Sequence, residues 1–338
     1  MTRRRIVIAM VVLLVALYGL QCVLSAMQKH SAGGAPELPI LESAAQLMLV
    51  GFRAVVVDVL WMQATELQEG SQIDESVAKY DKITRLQPDL PEVWHFLVWN
   101  IMYNLPHEVE SPEDKWNLIK LGVSYADKAR ERCSMALPGG GQMANQMGFM
   151  MWHRFDDRTF QEAPYLRRKF VEWRGKTSFQ EAIEWHDRAI SSYDYKQLRP
   201  GTREIWCRQI THTLDRWTSQ TFADCDQDGA LRPAREAVSG KQSWQWVAGL
   251  APGDPDHPEV DLNLQFLKQA KWRLKAIEEF VASKKAAAAG DLAGAERHAL
   301  ESVSLWQQLT DAWPSGPDTP CLRKADAWVE RLTIKKGK

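Results

Sequence analysis

The hydrophobic residues recur every three or four positions from Leu41 onward, a spacing that places them on one face of an α-helix. Gly70 and Ser71 interrupt the pattern and Pro88 ends it, so this stretch divides into two amphipathic helices joined by a turn. Alanine is frequent, and runs of valine, isoleucine and threonine are short, which favours helices over strands. The pattern therefore predicts an all-α protein.

A second helix pair follows Pro88. Its first helix carries Trp94 and Trp99, and its second begins after an insertion, where Ser111 precedes Asp114 by three residues as in an N-terminal cap. The same periodicity returns farther along the chain and predicts helices over 178–190, 202–222, 261–289 and 291–309, with a terminal helix over 325–334.

The first pair resembles the tetratricopeptide repeat, a helical hairpin of about 34 residues. With Pro88 as the terminal proline, the packing positions of the repeat fall on Leu60, Ala64, Leu67, Ser76, Tyr80 and Ile83. Gln63 and Ile83 depart from the usual leucine and alanine. The resemblance is clear over 57–103 and weaker at 178–190 and 288–302. Over 57–103 the sequence is similar to bacterial single-anchor tetratricopeptide proteins. This resemblance implies a solenoid of stacked hairpins.

The N-terminus has the pattern of a membrane anchor. Arg3, Arg4 and Arg5 precede an apolar run that is longer than a signal-peptide core of roughly 7–15 residues. We therefore expect a transmembrane helix over 6–27, with residues 1–5 as a cytoplasmic tail; a cleaved signal peptide is the alternative. The bulk of the chain would then lie on the extracytoplasmic side of the cytoplasmic membrane, in a periplasm-like space.

The amino-acid composition after the predicted anchor indicates two connecting segments and two helical regions. Small, polar and proline residues over 28–40 predict a tether, and the proline-rich stretch 251–260 predicts a linker. Between them, 41–250 holds the tetratricopeptide-like repeats, and 261–338 holds a helical hairpin and a capping helix.

Charge and cysteine content exclude several classes of protein. Lys+Arg is 42 against Asp+Glu 43, so the chain lacks the basic excess that nucleic acid binding requires. The five cysteines contain no C-x-x-C pair, which excludes the usual zinc, thioredoxin and c-type haem spacings. Apart from Cys22 in the apolar run, the cysteines could form two disulfides or remain free thiols.

The first helices of a tetratricopeptide solenoid line its concave side. In this register they present Trp61, Thr65, Gln68, Glu69, His95, Trp99, Met102 and Tyr103. Rigid aromatic side chains and methionine suit a peptide or helix ligand, which predicts a groove that binds a protein partner. The alternative is that Trp61 and Trp99 are core residues covered by the helix over 41–50.

An acidic stretch is the one metal-like pattern. Asp224, Asp226 and Asp228 alternate as in the first half of a calcium loop. Arg235 stands where the bidentate glutamate belongs, and Glu236 follows one residue late. A calcium site formed by these four carboxylates is one hypothesis, and an acidic turn between two helices is the other.

The sequence lacks the common local motifs of catalytic sites. H-E-x-x-H, the phosphate loop and the G-x-S-x-G elbow do not occur, so we expect no enzyme, no catalytic residue and no cofactor beyond calcium. The methionine-rich segment at 143–152 could hold copper or pack in the core. The sequence thus predicts a membrane-anchored scaffold for protein–protein interaction. A structural subunit of a larger membrane complex and a calcium-dependent or hydrolytic exported protein are the alternatives.

Overall fold

The computed structural model describes residues 38–70, 72–156, 158–224, 227–250, 259–314 and 318–336. All regular secondary structure in these ranges is helical, which confirms the all-α prediction for them. The predicted anchor, its cytoplasmic tail and the first part of the tether lie outside the described residues. None of the helices in these ranges combines the length and the apolarity that spanning a bilayer requires.

The helices follow one another with short connections. They are α1 (Leu38–Glu69), α2 (Ile73–Leu86), α3 (Pro91–Trp99), α4 (Pro112–Arg132), α5 (Gly140–His153), α6 (Ala163–Arg174), α7 (Ser178–Ile190), α8 (Tyr193–Gln197), α9 (Pro200–Ala223), α10 (Gln227–Ser239), α11 (Trp244–Leu250), α12 (Glu259–Ala288), α13 (Leu292–Ala312) and α14 (Thr319–Lys336). A π-helical turn (Asn100–Asn104) and a 3₁₀ turn (Leu105–His107) extend α3.

The chain divides into two compact units, residues 1–58 and 59–338. The described part of the first unit is the beginning of α1. The second unit contains the end of α1 and all the later helices. Residues 38–40, predicted as tether, are helical, and the helix predicted over 41–50 continues unbroken to Glu69. Of the predicted linker, residues 251–258 lie outside the described ranges, and α12 begins at Glu259.

Within the second unit, helices pack mainly in pairs. Helix α3 packs on α4, α5 on α7, α9 on α10, and α12 on α13. Neighbouring pairs touch through α3 and α5, through α7 and α9, and through α10 and α12. Helix α6 is inserted against α4 and α7, while α14 packs on α13 and α9. Successive pairs therefore lie beside one another in chain order.

Small residues allow the paired helices to approach closely. Ala64 and Ser76 are both fully buried, and the Ser76 hydroxyl donates to the Ala64 carbonyl across the α1–α2 contact at 3.0 Å. The α12–α13 pair has the same kind of bond, from the Ser302 hydroxyl to the Ala276 carbonyl at 2.8 Å. A hydroxyl that reaches a backbone carbonyl of the facing helix leaves little room for a larger residue.

The glycine-rich segment before α5 is a turn that holds a carboxylate of the same chain. The N–H groups of Gly139, Gly141 and Gln142 donate to the Asp194 carboxylate at 3.0, 2.8 and 3.1 Å. Gly139 has φ 88°, a left-handed conformation that favours glycine. An acidic group at the N-terminus of a helix satisfies its free N–H groups and its dipole. The bonds to Asp194 thus fix the start of α5.

A buried ion cluster connects the later helices. Arg273 of α12 lies 2.7 Å from the Asp215 carboxylate, and donates to both oxygens of Asp318 at 2.9 and 2.8 Å. The Ser219 hydroxyl also donates to Asp318, and the Trp244 indole N–H donates to Asp215, each at 2.8 Å. Burial raises the pKa of Asp215, and the charge of Arg273 opposes that rise.

Candidate binding surface

The predicted groove residues of the first pair lie on the last turns of α1. Trp61 is partly exposed, with its ring centroid 5.2 Å from that of Tyr80. The hydroxyl of exposed Thr65 donates to the Trp61 carbonyl of its own helix at 3.1 Å. Gln68 accepts a bond from the Tyr80 hydroxyl at 3.3 Å, and Glu69 is exposed. Trp61, Thr65 and Glu69 are thus available to solvent at one-turn intervals.

The predicted groove residues of the second pair differ in depth. His95 and Trp99 are partly exposed, whereas Met102 is fully buried and Tyr103 is 7% exposed. Met102 packs against α4 so closely that a Cβ added to Gly122 would lie 2.5 Å from its Cγ. His95 and Trp99 therefore lie on the surface, Tyr103 lies at its floor, and Met102 lies beneath it.

Phe96, which was not among the predicted groove residues, lies next to His95 in α3 and contacts Trp61 of α1. Phe96 is 48% exposed, and its ring lies edge-on to Trp61 with centroids 4.5 Å apart. The contact makes a continuous apolar patch between the end of α1 and α3. Burial of a large aromatic ring contributes roughly 1.5–3 kcal/mol, so an exposed one marks a surface that a partner can cover favourably.

A row of rings, which we call the aromatic ladder, crosses from α3 to α5. Trp99 stacks on Tyr103 with centroids 4.4 Å apart, and Tyr103 stacks on His153 at 5.9 Å. His153 in turn stacks on Phe149 at 4.7 Å, and His95 lies edge-on to Trp99 at 6.5 Å. The Tyr103 hydroxyl is 3.2 Å from His153 Nδ1. The ladder consists of His95, Trp99, Tyr103, His153 and Phe149.

A second aromatic group continues the row toward the later helices. The Arg216 guanidinium lies between Trp152, which touches the ladder, and Trp313, at 5.4 and 5.9 Å from their ring centroids. Trp313 is 6.5 Å from His212 and 6.2 Å from Phe266. All five side chains are partly exposed. Residues from α3, α5, α9 and α12 thereby contribute to one row.

A π-helical turn and a buried arginine position the ladder. In the π-helical turn at Asn100–Asn104 the backbone hydrogen bonds span five residues instead of four. Arg154 Nε donates to the Met102 carbonyl inside this turn at 3.0 Å. The Arg154 guanidinium also donates to Glu162 at 2.9 Å and lies 4.0 Å from the Phe160 ring centroid. Arg154 thus ties the end of α3 to the end of α5, where Tyr103 meets His153.

The row carries little charge at neutral pH. Burial lowers the pKa of His95 and of His153, and it lowers the pKa of His212 to about 4, so the three imidazoles are neutral at pH 7. Burial raises the pKa of Tyr103. Arg216 lies 3.0 Å from the Asp156 carboxylate, and Arg154 is paired with Glu162 as described. The row is therefore an aromatic surface whose cations are already paired.

The acidic stretch does not form an open loop over its described part. Asp224 accepts two bonds from Arg167, at 3.1 and 3.0 Å, and Glu236 accepts one from Arg232 at 3.1 Å. Helix α10 contains both Asp228 and Glu236, so their backbones are about 12 Å apart along its axis. Asp226 lies outside the described residues.

Among the residues that the structure describes, no three His, Cys, Asp or Glu side chains are grouped so as to hold a metal ion. The calcium site stays a prediction. Cys133 and Cys207 are free, buried thiols, and Cys321 is a buried thiol whose Sγ donates to the Ser219 carbonyl at 3.3 Å. Cys22 and Cys225 lie outside the described ranges.

The methionine-rich helix is α5. Its methionines are buried at 0–2% exposure, and its partly exposed side includes Phe149, Trp152 and His153. The methionine side chains thus pack in the core, while the aromatic side belongs to the row. Sequence reasoning missed His153, Arg216, Trp313 and His212 as surface residues. Only His153 had a local signal, four residues after Phe149 on one helical face.

A comparison with models of protein families and with curated protein sequences finds no match to this chain.

Proposed function

We propose that this chain is a tetratricopeptide-like scaffold that binds a protein partner through the aromatic ladder and the patch of Trp61 and Phe96. The observation that carries this proposal is the presence of partly exposed aromatic rings on the first helices of successive pairs, with ring contacts that join α1 to α3 and the end of α3 to α5. Aromatic anchors at the centre of an interface supply most of its binding energy. Because the row is neutral, covering it costs little desolvation of charge.

The predicted anchor at 6–27 would place this surface beside the extracytoplasmic side of the cytoplasmic membrane. Tethering raises the effective concentration of a binding surface toward a membrane-bound partner, so moderate affinity suffices. The pairing of α1–α2, α3–α4, α5–α7, α9–α10 and α12–α13 supports a solenoid of stacked hairpins.

The test is substitution of Trp99, which is only partly buried and so can be changed with the fold intact. The full-length chain carrying Trp99→Ala is crosslinked in intact cells, extracted in detergent and compared with the wild type. Leu300→Ala is the matched control, because Leu300 of α13 is 52% exposed and distant in sequence from the ladder. We expect Trp99→Ala to lower partner recovery about tenfold or more at unchanged helicity by circular dichroism, as for loss of an aromatic anchor. Unchanged recovery would refute the proposal.

The same experiment addresses a role as a structural subunit of a membrane complex. Exposed apolar side chains away from the row, namely Leu137, Leu300 and Ile334, favour that second function, because several faces would be covered at once. A structural subunit would yield one fixed set of partners in constant ratio, and that set would survive Trp99→Ala. A scaffold would yield varied partners that depend on Trp99.

A further inference from the structure

The first helices of the first three pairs have an unusual charge pattern. The segments 59–69, 91–104 and 140–153 contain no lysine and no arginine. They contain three glutamates, namely Glu66, Glu69 and Glu92. The chain as a whole has balanced charge, so these three segments taken together are locally acidic.

Two of these glutamates are exposed on the helices that carry the surface aromatic rings. Glu69 is exposed two helical turns after Trp61, on the same face of α1. Glu92 is exposed one turn before His95 and Phe96 on α3. Neither carboxylate has a lysine or arginine partner among the residues that the structure describes. The other charges near the ladder differ, since Arg154 and Arg216 each have a carboxylate partner within 3.0 Å.

Unpaired carboxylates beside exposed aromatic rings define a complementary ligand. Apolar side chains of the ligand that cover the rings stabilise the complex, and lysine or arginine side chains at the edge of the ligand form ion pairs with the glutamates. A ligand with acidic residues at the same edge would be repelled. A neutral ligand would gain only the apolar contribution.

We infer that the segment recognised by the aromatic ladder is a short amphipathic peptide of a partner protein, apolar on one face and bearing lysine or arginine beside that face. This inference rests on the proposed function and adds the charge of the partner to it. The contact between the basic side chains and Glu69 and Glu92 sets specificity and salt dependence, while Trp99 and Phe96 set the apolar affinity.

The test uses three synthetic peptides of equal length with the same leucine and phenylalanine positions. Their remaining positions are lysine, glutamine or glutamate. Each is labelled with a fluorophore and titrated with the full-length chain in a neutral detergent, with detergent alone as the blank. The variants are Glu69→Gln/Glu92→Gln, Trp99→Ala, and Glu330→Gln on the exposed side of α14 as the matched charge control.

We expect the lysine peptide to bind most tightly, with affinity that falls as salt is added. Glu69→Gln/Glu92→Gln should weaken it about fivefold, abolish most of the salt dependence, and leave the glutamine peptide unchanged. Trp99→Ala should weaken both peptides, and Glu330→Gln should change neither.

The contrary outcomes separate the inference from the function it rests on. Equal binding of all three peptides, lost in Trp99→Ala, would overturn the inference and leave the binding function standing. Tighter binding of the glutamate peptide would also overturn it. Absence of Trp99-dependent binding would overturn both. Self-association that Trp99→Ala abolishes, measured by sedimentation without peptide, would assign the face to a second copy of the chain and overturn the inference.

Discussion

The aromatic ladder and the ion cluster around Arg273 both join helices that are distant in sequence, but they do so by opposite means. In the cluster, Arg273, Asp215 and Asp318 are at most 3% exposed, and each carboxylate has two partners. In the ladder, Trp99, His153 and Phe149 are partly exposed and meet mainly by ring contacts.

The difference shows which part of the molecule can accept another protein. The side chains of a buried ion cluster have a single favourable arrangement, because moving any one of them leaves a charge unpaired in a medium of low dielectric constant. Stacked rings gain about 0.5–1.5 kcal/mol per pair beyond their burial, and their exposed edges can be covered without breaking those contacts. The cluster thus holds α9, α11, α12 and α14 together, whereas the ladder leaves a surface.

Arg273→Met is the substitution with the largest expected effect. It removes the cation from between two buried carboxylates, which should lower the free energy of unfolding by about 3–5 kcal/mol. Lys275→Met on the same helix removes an exposed pair with Glu301 at 2.7 Å, which solvent screens, and should lower the free energy of unfolding far less. Urea denaturation of both variants measures the difference. Equal losses in the free energy of unfolding would show that the buried cluster contributes no more to stability than an exposed ion pair.

Gly148→Ala tests whether α5, which carries part of the ladder, is tightly packed on its other side. A Cβ at Gly148 would lie 2.6–2.8 Å from the buried His186 ring, so this variant should lose about 1–3 kcal/mol. At Gly249 in α11 an added Cβ meets nothing within 4 Å, and Gly249→Ala should be neutral or stabilising by at most about 1 kcal/mol. Thermal unfolding compares them, and a neutral Gly148→Ala would mean that α5 is loosely held on both sides.

Acidification should destabilise the core beneath the ladder through His186. Burial lowers the pKa of His186 from 6.5 to about 3, so the unfolded chain binds the proton first as pH falls. Its contribution to stability is complete above pH 6.5 and is lost between pH 6.5 and about 3, at up to about 1.4 kcal/mol per pH unit.

His186→Asn keeps a polar atom for Asn145 and removes this proton, so its stability should depend less steeply on pH than that of the wild type. His107→Asn, at an exposed position, is the control for the replacement of a histidine by asparagine. Parallel pH profiles of urea denaturation for the wild type and His186→Asn would contradict the prediction.

Tyr103→Phe has the smallest expected effect. The ring stack with Trp99 remains, but the hydroxyl next to His153 Nδ1 is lost, at a cost of about 1 kcal/mol. Tyr193→Phe at a position that is 42% exposed should cost less than about 0.5 kcal/mol. Thermal unfolding followed by tryptophan fluorescence measures both. An equal, negligible effect of the two would show that ring contact alone holds Tyr103 against His153.

Local signals in the sequence were sufficient for much of the helical framework. The end of α2 before Pro88, the Ser111 cap of α4 and the turn at Gly290 depend on residues close together in the chain. Ala64, which the resemblance to the repeat places at a small packing position, is fully buried. Propensity, capping and periodicity act within a few residues, so a sequence displays them directly.

The binding surface was only half visible in the sequence because its other half comes from distant helices. The register of the repeat that the sequence resembles selected Trp99, but His153 meets Tyr103 across fifty residues, and Arg216 joins through tertiary packing alone. The π-helical turn lacks a local signal that distinguishes it from the α-helix it extends. Arg273 similarly occupies an ordinary helical position, and only the folded arrangement brings two aspartates to it.

Photocrosslinking from the surface itself tests the account most directly. A photoreactive phenylalanine analogue is placed at Phe96 beside the ladder, or at Leu300 on α13, two positions with similar exposure of 48% and 52%. In intact cells, the account predicts a protein crosslink from position 96 that Trp99→Ala abolishes, and a much weaker one from position 300. Equal crosslinking from both positions, or a crosslink from position 96 that persists in Trp99→Ala, would contradict it.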